Sequence, residues 1–475
     1  MAALPGVRYS SSTEMNRSLG LDRFAAMLLV VAFALAGWKI ANRLPTSGFG
    51  IALPRASALS RAVDKVETRP NASGLSNQQV SPDGRFRFDA SFVSSAPGQA
   101  VHAPSVVELR DGRLRAVWFS GSREGAGDVV IKTAVMNSAT LDWNDETTLF
   151  DRQRIQQGLW RYVKKLGNPV IARAPDGSLF LWMVTVSVGG WAGSSITWAR
   201  STDEGGNWSD SRRLVTSPFF NISTLVKGAP FFYLSGQSGL PVYHEFLTKF
   251  AEVLRIGPQG QVVDKIRIPG SRGSLQPVVM PSQPEQAQAY MRSGNRTAVM
   301  QATTSDGGNA WSAAEATGWP NPDSALAGVV TDTGEQWLAL NPSRESREVL
   351  ALLHTPAGGS FDGISPWVVE TSTASQTRLS PNRFEALLKS ELRAGGASEA
   401  QTGAYIASAR RQLCDESACS QEFSYPYLLQ SRDGYLHLVY TWHRSRIKHV
   451  RLDPLQIVRS DAGLPAATRA ASATH

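Results

Sequence analysis

The sequence predicts an all-β propeller, and three features predict it. The first is an internal repeat: Ser201-Thr-Asp-Glu-Gly-Gly-Asn-Trp208 and Thr304-Ser-Asp-Gly-Gly-Asn-Ala-Trp311 share the pattern Ser/Thr-x-Asp-x-Gly-x-x-Trp. The second is a recurrence of Asp-Gly pairs, at Asp83-Gly84, Asp111-Gly112, Asp176-Gly177 and Asp433-Gly434, which supply the positive φ of a tight hairpin. The runs beside these pairs, such as residues 113–120, 178–186, 336–341 and 435–441, are rich in aromatic and β-branched residues. The third is the lack of long amphipathic helices alternating with these runs, which disfavours a parallel α/β fold.

The repeat has a local physical basis. Asp203 and Asp306 are placed to accept bonds from backbone N–H groups of the turn. Gly205 and Gly308 permit left-handed dihedrals. Trp208 and Trp311 fold back over their own sheet. Residues 354–361 look like a decayed copy that keeps Gly358 and Phe361, and residues 136–143 keep only Trp143. The repeat is structural, so none of its residues is assigned to chemistry.

The rest of the chain is read from the N-terminus. Arg8, Arg17 and Arg23 precede an uncharged run from Phe24 to Trp38, which Lys39 and Arg43 follow. That run is short for a membrane span of about 20 residues. Residues 1–43 are therefore expected to be a signal peptide, with a small-residue site at Ala34-Leu35-Ala36, or a retained membrane anchor. Residues 44–85, rich in Ser, Pro, Gly and Asn, are expected to form a linker, and residues 86–453 the propeller. Within it, residues 372–421 form a helical insertion: 382–392 reads as a capped helix and 404–413 as a second. Residues 454–475 are expected to be a disordered tail.

Bulk composition excludes several classes. Basic residues number 48 against 40 acidic, a net charge of +8, but no long Lys/Arg run argues for nucleic acid. The two cysteines, Cys414 and Cys419, are too few for a disulfide scaffold, although a bond between them would persist in an oxidising compartment. The seven histidines are scattered and no metal or nucleotide motif is present, so no metal or cofactor is expected.

Further segments extend the picture: His102-Ala-Pro104, Phe119-Ser-Gly-Ser-Arg-Glu-Gly125 with Asp128, Gly167-Asn-Pro169, Leu240-Pro-Val-Tyr-His-Glu245, Pro320-Asn-Pro-Asp-Ser324 and Ser424-Tyr-Pro426. Through these and the two Asp boxes, the chain resembles the sialidase superfamily, in particular its bacterial neuraminidase-like branch with BNR repeats. The resemblance runs from about His102 to Arg451. It implies a six-bladed propeller with the active site at one end of the central channel.

The resemblance also implies roles. Sialidases attack an anomeric carbon that bears a carboxylate, and they use a tyrosine where an anionic nucleophile would be repelled. This departs from the two-carboxylate scheme of most glycosidases. Tyr425 falls at the nucleophile's position. Asp128, five residues after Arg123, matches the acid/base. Arg123, Arg292 and Arg347 match arginines that hold the anionic substrate, with Arg344 competing for the role of Arg347. Two positions depart from the pattern. His102 stands where the first clamp arginine belongs, and a histidine is only partly charged at neutral pH. No acid stands near Ser274-Leu-Gln-Pro277, where the glutamate that activates the tyrosine is expected. Glu245 is assigned in its place, with Glu124 as the competitor, and the neighbouring Tyr243 is assigned to substrate binding.

The expected function is that of an exported exo-glycosidase. It would release a terminal acidic sugar, sialic acid first, with retention of configuration. Its partner is an acidic glycan or polysaccharide, with no nucleic acid. The chain is expected to be a monomer held by its N-terminal segment to a membrane, facing the periplasm or cell exterior, or secreted if the leader is cleaved. The departures at His102 and the missing acid keep open hydrolysis or lyase cleavage of another acidic sugar, and a non-catalytic glycan-binding propeller.

Overall fold

The computed structural model describes residues 12–41, 48–50, 78–137, 140–217, 221–371 and 378–462. Residues 12–41 form one helix, Ser12–Ala41, a compact unit of their own. Its apolar side chains from Phe24 to Trp38 are largely exposed. Among the described residues no helix is long and apolar enough to cross a membrane.

The β region is a six-bladed propeller. Blade one is formed by Ala100–Glu108, Leu114–Gly121, Val130–Met136 and Thr147–Phe150, and blade two by Lys165–Arg173, Leu179–Val186, Ser194–Ser201 and Arg212–Arg213. Blade four starts at Ser274–Pro281, blade five at Ala327–Val330 and blade six at Phe423–Gln430. Within each blade the strands run antiparallel from the channel outward, and the innermost strands pack side by side in a closed ring. Strands with both faces covered carry near-continuous apolar runs: every residue of Leu179–Val186 is buried.

The ring is closed by the two ends of the β region. Arg87–Phe92 pairs with Arg446–Leu452, so blade six combines strands from both ends, and the Arg451–Asp89 ion pair at 3.1 Å spans this seam. Such closure removes the free sheet edges of an open β array.

The four Asp boxes, good and decayed, occupy one structural position. Residues 136–143, 201–208, 304–311 and 354–361 all lie between the third and outermost strands, in blades one, two, four and five. In the first good copy Asp203 accepts from Asn207 N at 2.8 Å, and Ser201 Oγ accepts from Gly205 N at 2.9 Å. In the second, Asp306 accepts from Asn309 N at 2.9 Å and Thr304 Oγ1 from Gly308 N at 3.1 Å.

A second six-fold feature positions the site. Near the start of each innermost strand one non-glycine residue takes a left-handed conformation: Ala103, Asn168, Ser223, Gln276, Asp323 and Tyr425, with φ between 42° and 60°. In blades one, two, four and six the register shifts there, the mark of a β-bulge. Each such residue costs roughly 1–2 kcal/mol relative to ordinary backbone, which the packed ring sustains. The bulge turns a side chain that would lie in the sheet toward the channel mouth. Four of the six precede proline. In blade three the innermost strand is split into Leu225–Val226 and Phe231–Phe232. Gly228 lies in that gap, where a Cβ would come within 2.2 Å of the Pro277 carbonyl oxygen of blade four.

The insertion contains helices Pro381–Ala394 and Glu399–Leu413. The second starts five residues earlier than the periodicity predicts, because Ser398 and Gln401 form a capping box ahead of it. Phe384, Leu388 and Leu392 bury the first helix against blade six. The second is tied to the loop that leads into blade one by Tyr405 Oη to Ser95 O at 2.9 Å, and Gln412 Nε2 donates to Arg444 O at 3.2 Å. Cys414 and Cys419 are joined in a disulfide, and the chain then enters Glu422 and blade six.

Two segments differ from the sequence-based expectation. Residues assigned to the linker include Phe49, buried against Phe231 and Tyr233, and the strand Gln78–Val80 paired with Arg87–Phe92. The tail begins with helix Pro454–Ala462, which Ile457 holds by burying its side chain. In both places isolated apolar residues in polar context find a tertiary pocket, which local composition does not register. Residues 51–77 and 463–475 lie outside the described residues.

Candidate active site

All the residues assigned from sequence lie at one end of the channel, the end at which the innermost strands begin. Tyr425 is half-buried in its bulge. Its hydroxyl faces Arg292 Nη1 at 3.4 Å and Gln276 Nε2 at 3.5 Å. Arg292 also donates to Asp323 Oδ1 at 2.7 Å and to Gln276 Oε1 at 2.9 Å. Gln276 Nε2 and Asn168 Nδ2 share the hydroxyl of Tyr243, at 3.4 and 3.1 Å. Four of the six left-handed residues thus enter one polar network, and a fifth, Ser223, holds the backbone N–H of Glu245 at 2.9 Å.

Electrostatics follow from burial and neighbours. Burial alone would strip charge from Arg292, but Tyr425 and Asp323 outweigh it and hold its pKa above the ordinary arginine value. Burial pushes Tyr243 well above the usual tyrosine range, so it stays a neutral hydroxyl. Burial likewise raises Glu245, against the pull of Lys249 and Arg292.

A buried carboxylate organises the other cations. Glu422 accepts from Arg347 Nη1 at 3.2 Å, Arg444 Nε at 2.9 Å and Ser424 Oγ at 2.5 Å. Burial alone would raise its pKa, but Arg444, then Arg347, hold it far below the ordinary glutamate value. Arg347 Nη2 also donates to Asp323 O at 2.8 Å, linking this group to Arg292 through one residue. Arg344 is exposed, so of the two candidate arginines Arg347 is the one engaged.

His102 lies with its ring centroid 4.2 Å from that of Tyr425. Its Nδ1 meets Thr441 Oγ1 at 3.0 Å, and its buried Nε2 has no partner. Burial first, then the charge of Arg444, lowers its pKa well below the ordinary value. The expectation of a partly charged histidine is therefore corrected: His102 is a neutral imidazole, because the interior cannot solvate its cation beside three other basic groups. Arg444 stands next to it, on the hairpin that follows Leu436–Trp442.

Lys227 is the other buried cation. It projects from the gap in the innermost strand of blade three, and its Nζ donates to Pro426 O of blade six at 3.1 Å, so the side chain bridges opposite blades. Burial lowers its pKa to about 7.

The remaining assigned residues line the rim. Asp128 is exposed and accepts from Ser122 N and Oγ, each at 3.0 Å. Arg123 on the same loop is exposed, and Glu124 lies 3.6 Å from Arg444. The groups against the Tyr425 hydroxyl are Gln276 and Arg292, not Glu245 or Glu124.

Sequence reasoning gave no role to Gln276, Asn168, Asp323, Glu422, Arg444 or Lys227. The first two carry a signal, a residue before proline at the start of an innermost strand. Glu422 and Arg444 meet only through folding. Among the described residues no group of three His, Cys, Asp or Glu side chains is placed to hold a metal ion. The opposite end of the channel holds an apolar-walled cavity of about 580 Å³, lined by residues such as Ile171, Val329 and Leu428.

The fold and the placement of this mouth define a sialidase-like propeller. The model of the BNR repeat-like domain family matches residues 112–438, and the chain belongs to that family. A comparison with curated proteins finds no match. Among solved structures, a Hadza microbial sialidase is similar at 13% identity and a TM-score of 0.55, over 75% of this chain and 66% of its own length. A protein of unknown function from Dyadobacter fermentans is similar at 11% identity and a TM-score of 0.58, over 77% of this chain and 97% of that one. The intramolecular trans-sialidase of Ruminococcus gnavus is similar at 12% identity and a TM-score of 0.54, over 77% and 96%. At these identities the likeness is one of fold.

Proposed function

We propose that the chain is an exported exo-glycosidase that removes a terminal acidic sugar, sialic acid first, from a glycan. The observation that carries this is the approach of Arg292 and Gln276 to the hydroxyl of Tyr425, beside Arg347 and Arg444. Guanidinium groups match a carboxylate in shape and remain charged when partly buried. They hold the sugar carboxylate and favour negative charge on the tyrosine oxygen.

In the proposed step a bond forms between Tyr425 Oη and the anomeric carbon while the bond to the leaving oxygen breaks. Asp128 gives its proton to that oxygen. The tyrosine proton is assigned to Glu245, whose raised pKa suits it to hold one; because Glu245 does not touch the Tyr425 hydroxyl, a solvent molecule in the mouth carries the proton between them. Water then cleaves the tyrosyl glycoside and the protons return, so configuration is retained.

Export is supported by the basic-apolar-basic N-terminus and by the Cys414–Cys419 disulfide. On this reading the chain acts as a monomer outside the cytoplasm, tethered to the membrane or released.

A second reading rests on Gln276 and His102. An amide where a base is expected, and a neutral imidazole where a cation is expected, favour a different acidic sugar such as a uronic acid, cleaved by hydrolysis or elimination, or binding alone.

The test uses purified protein with fluorogenic sialoside and uronide substrates. Turnover of the sialoside, lost in Tyr425→Phe, is expected. A Tyr425→Phe protein as active as the parent overturns the mechanism. Formation of an unsaturated uronate absorbing in the near ultraviolet identifies the lyase alternative.

A further inference from the structure

The face that holds the mouth carries a second feature between blades one and two. Helix Arg152–Leu159 crosses this face, and Gly158 packs on Ser211 beside the outermost strand Arg212–Arg213. The chain then runs inward through Trp160, Arg161, Tyr162 and Lys164 to Lys165, where the innermost strand of blade two begins. Trp160 is 96% exposed and Tyr162 60%. Trp160 is not a frayed end: it caps the helix in the left-handed conformation, with φ 51°, and its N–H reaches the Gln157 carbonyl.

Farther inward, Trp191 lies against Gly167, where a Cβ would come within 2.9 Å of the indole. Lys165 Nζ sits 5.7 Å from the Trp191 ring centroid. Gly167 precedes Asn168, which bonds Tyr243 in the mouth. A strip of aromatic side chains therefore leads from the outer edge of blade two to the candidate site. The loop that carries Arg123 and Asp128 flanks it, with Gly125 against Lys165 and Gly127 against Arg152.

The strip is also basic. Arg123, Arg152, Arg161, Lys164 and Lys165 border it, and among the described residues none of them forms an ion pair. Elsewhere on the surface arginines are commonly paired, as Arg173 with Glu204 at 2.6 Å and Arg432 with Glu108 at 3.1 Å. Exposed aromatic rings are unfavourable in water, and grouped beside cations that carry no protein counter-charge they mark a surface suited to an anionic, ring-bearing ligand.

We propose that this strip binds the chain of an acidic polysaccharide whose terminal sugar enters the mouth. The proposal deepens the function given above and rests on it. Pyranose rings present apolar C–H faces that stack on Trp160, Tyr162 and Trp191. Carboxylates on successive sugars pair with the flanking lysines and arginines. The strip ends at the mouth, so one chain can occupy both.

The test is binding of short and long oligosialic acids, and of short and long oligogalacturonides, to full-length protein carrying Tyr425→Phe. The longer oligomer of one series is expected to bind about tenfold more tightly than its disaccharide. Trp160→Ala with Tyr162→Ala is expected to remove that gain and leave the disaccharide affinity and the melting temperature unchanged, since both side chains are exposed and lie outside the mouth. Lys164→Ala with Lys165→Ala is expected to weaken the salt dependence of the long oligomer. Equal affinity for short and long oligomers, a length gain that survives the double aromatic variant, or binding of anionic vesicles through these residues in place of oligosaccharides overturns the proposal. Sialoside turnover by the unaltered chain reports on the mouth separately. Turnover without a length gain overturns the strip alone, whereas a length gain without turnover overturns the glycosidase.

Discussion

The guanidinium of Arg292 lies 3.4 Å from the hydroxyl of Tyr425, although the two residues come from blades four and six. The same guanidinium binds Asp323 and Gln276, so its plane is fixed by three partners. Arg292→Lys keeps the charge but cannot make these bonds together. We expect kcat for the acidic glycoside to fall about 100-fold, with a smaller change in melting temperature. A kcat within error of the parent's rules out a role for Arg292 at the tyrosine.

Glu422 sits between Arg347 and Arg444, and removing its charge leaves two guanidinium groups facing each other. Glu422→Gln is expected to cost about 3–5 kcal/mol in urea unfolding at neutral pH. The pH dependence has a definite sign. A carboxylate whose folded pKa lies below its unfolded value of about 4.3 stabilises the fold above that value. That contribution is lost as pH falls toward the depressed folded value. The parent should therefore lose stability on acidification below about pH 4, and the variant should show a shallower acid limb. Identical acid limbs would show that Glu422 is not held as described.

Lys227 has the opposite linkage. Burial lowers its pKa to about 7, against about 10.4 in the unfolded chain. Between these values the unfolded state binds one more proton, so this group makes stability rise with pH, by about 1.4 kcal/mol per unit. Above the unfolded value its penalty vanishes. Lys227→Met should flatten the slope between about pH 7 and pH 10, measured by denaturant midpoints. An unchanged slope would mean that the amine is solvated in the folded protein.

The Cys414–Cys419 bond closes a short loop just before Glu422. Replacing both cysteines by serine is expected to cost about 2 kcal/mol. Because Glu422 follows three residues later and holds Arg347 and Arg444, affinity for an anionic ligand should fall as well. Calorimetry of folding and of ligand binding on the same variant checks both effects.

Much of the scaffold was legible because its signals are local. An Asp box is a closed hydrogen-bonded turn, so eight consecutive residues carry it, and Thr304 to Trp311 fold as their spacing predicts. The residues that form the mouth were partly legible. Tyr425, Asp128, Arg292 and Arg347 stand in segments that resemble known ones, and Gln276 stands where an acid was sought. Glu422 and Arg444 left no signal, because neither has a meaning until blade six closes against blade five.

The sequence by itself determined the propeller, because turn chemistry and backbone preference act over a few residues. Tertiary structure alone decided the charge states. His102 is neutral because it is buried beside Arg444, and Lys227 loses part of its charge because it is buried within the ring, where it reaches Pro426. The energy of a charge depends on solvent exclusion and on neighbours drawn from all six blades, and only the closed ring brings these together.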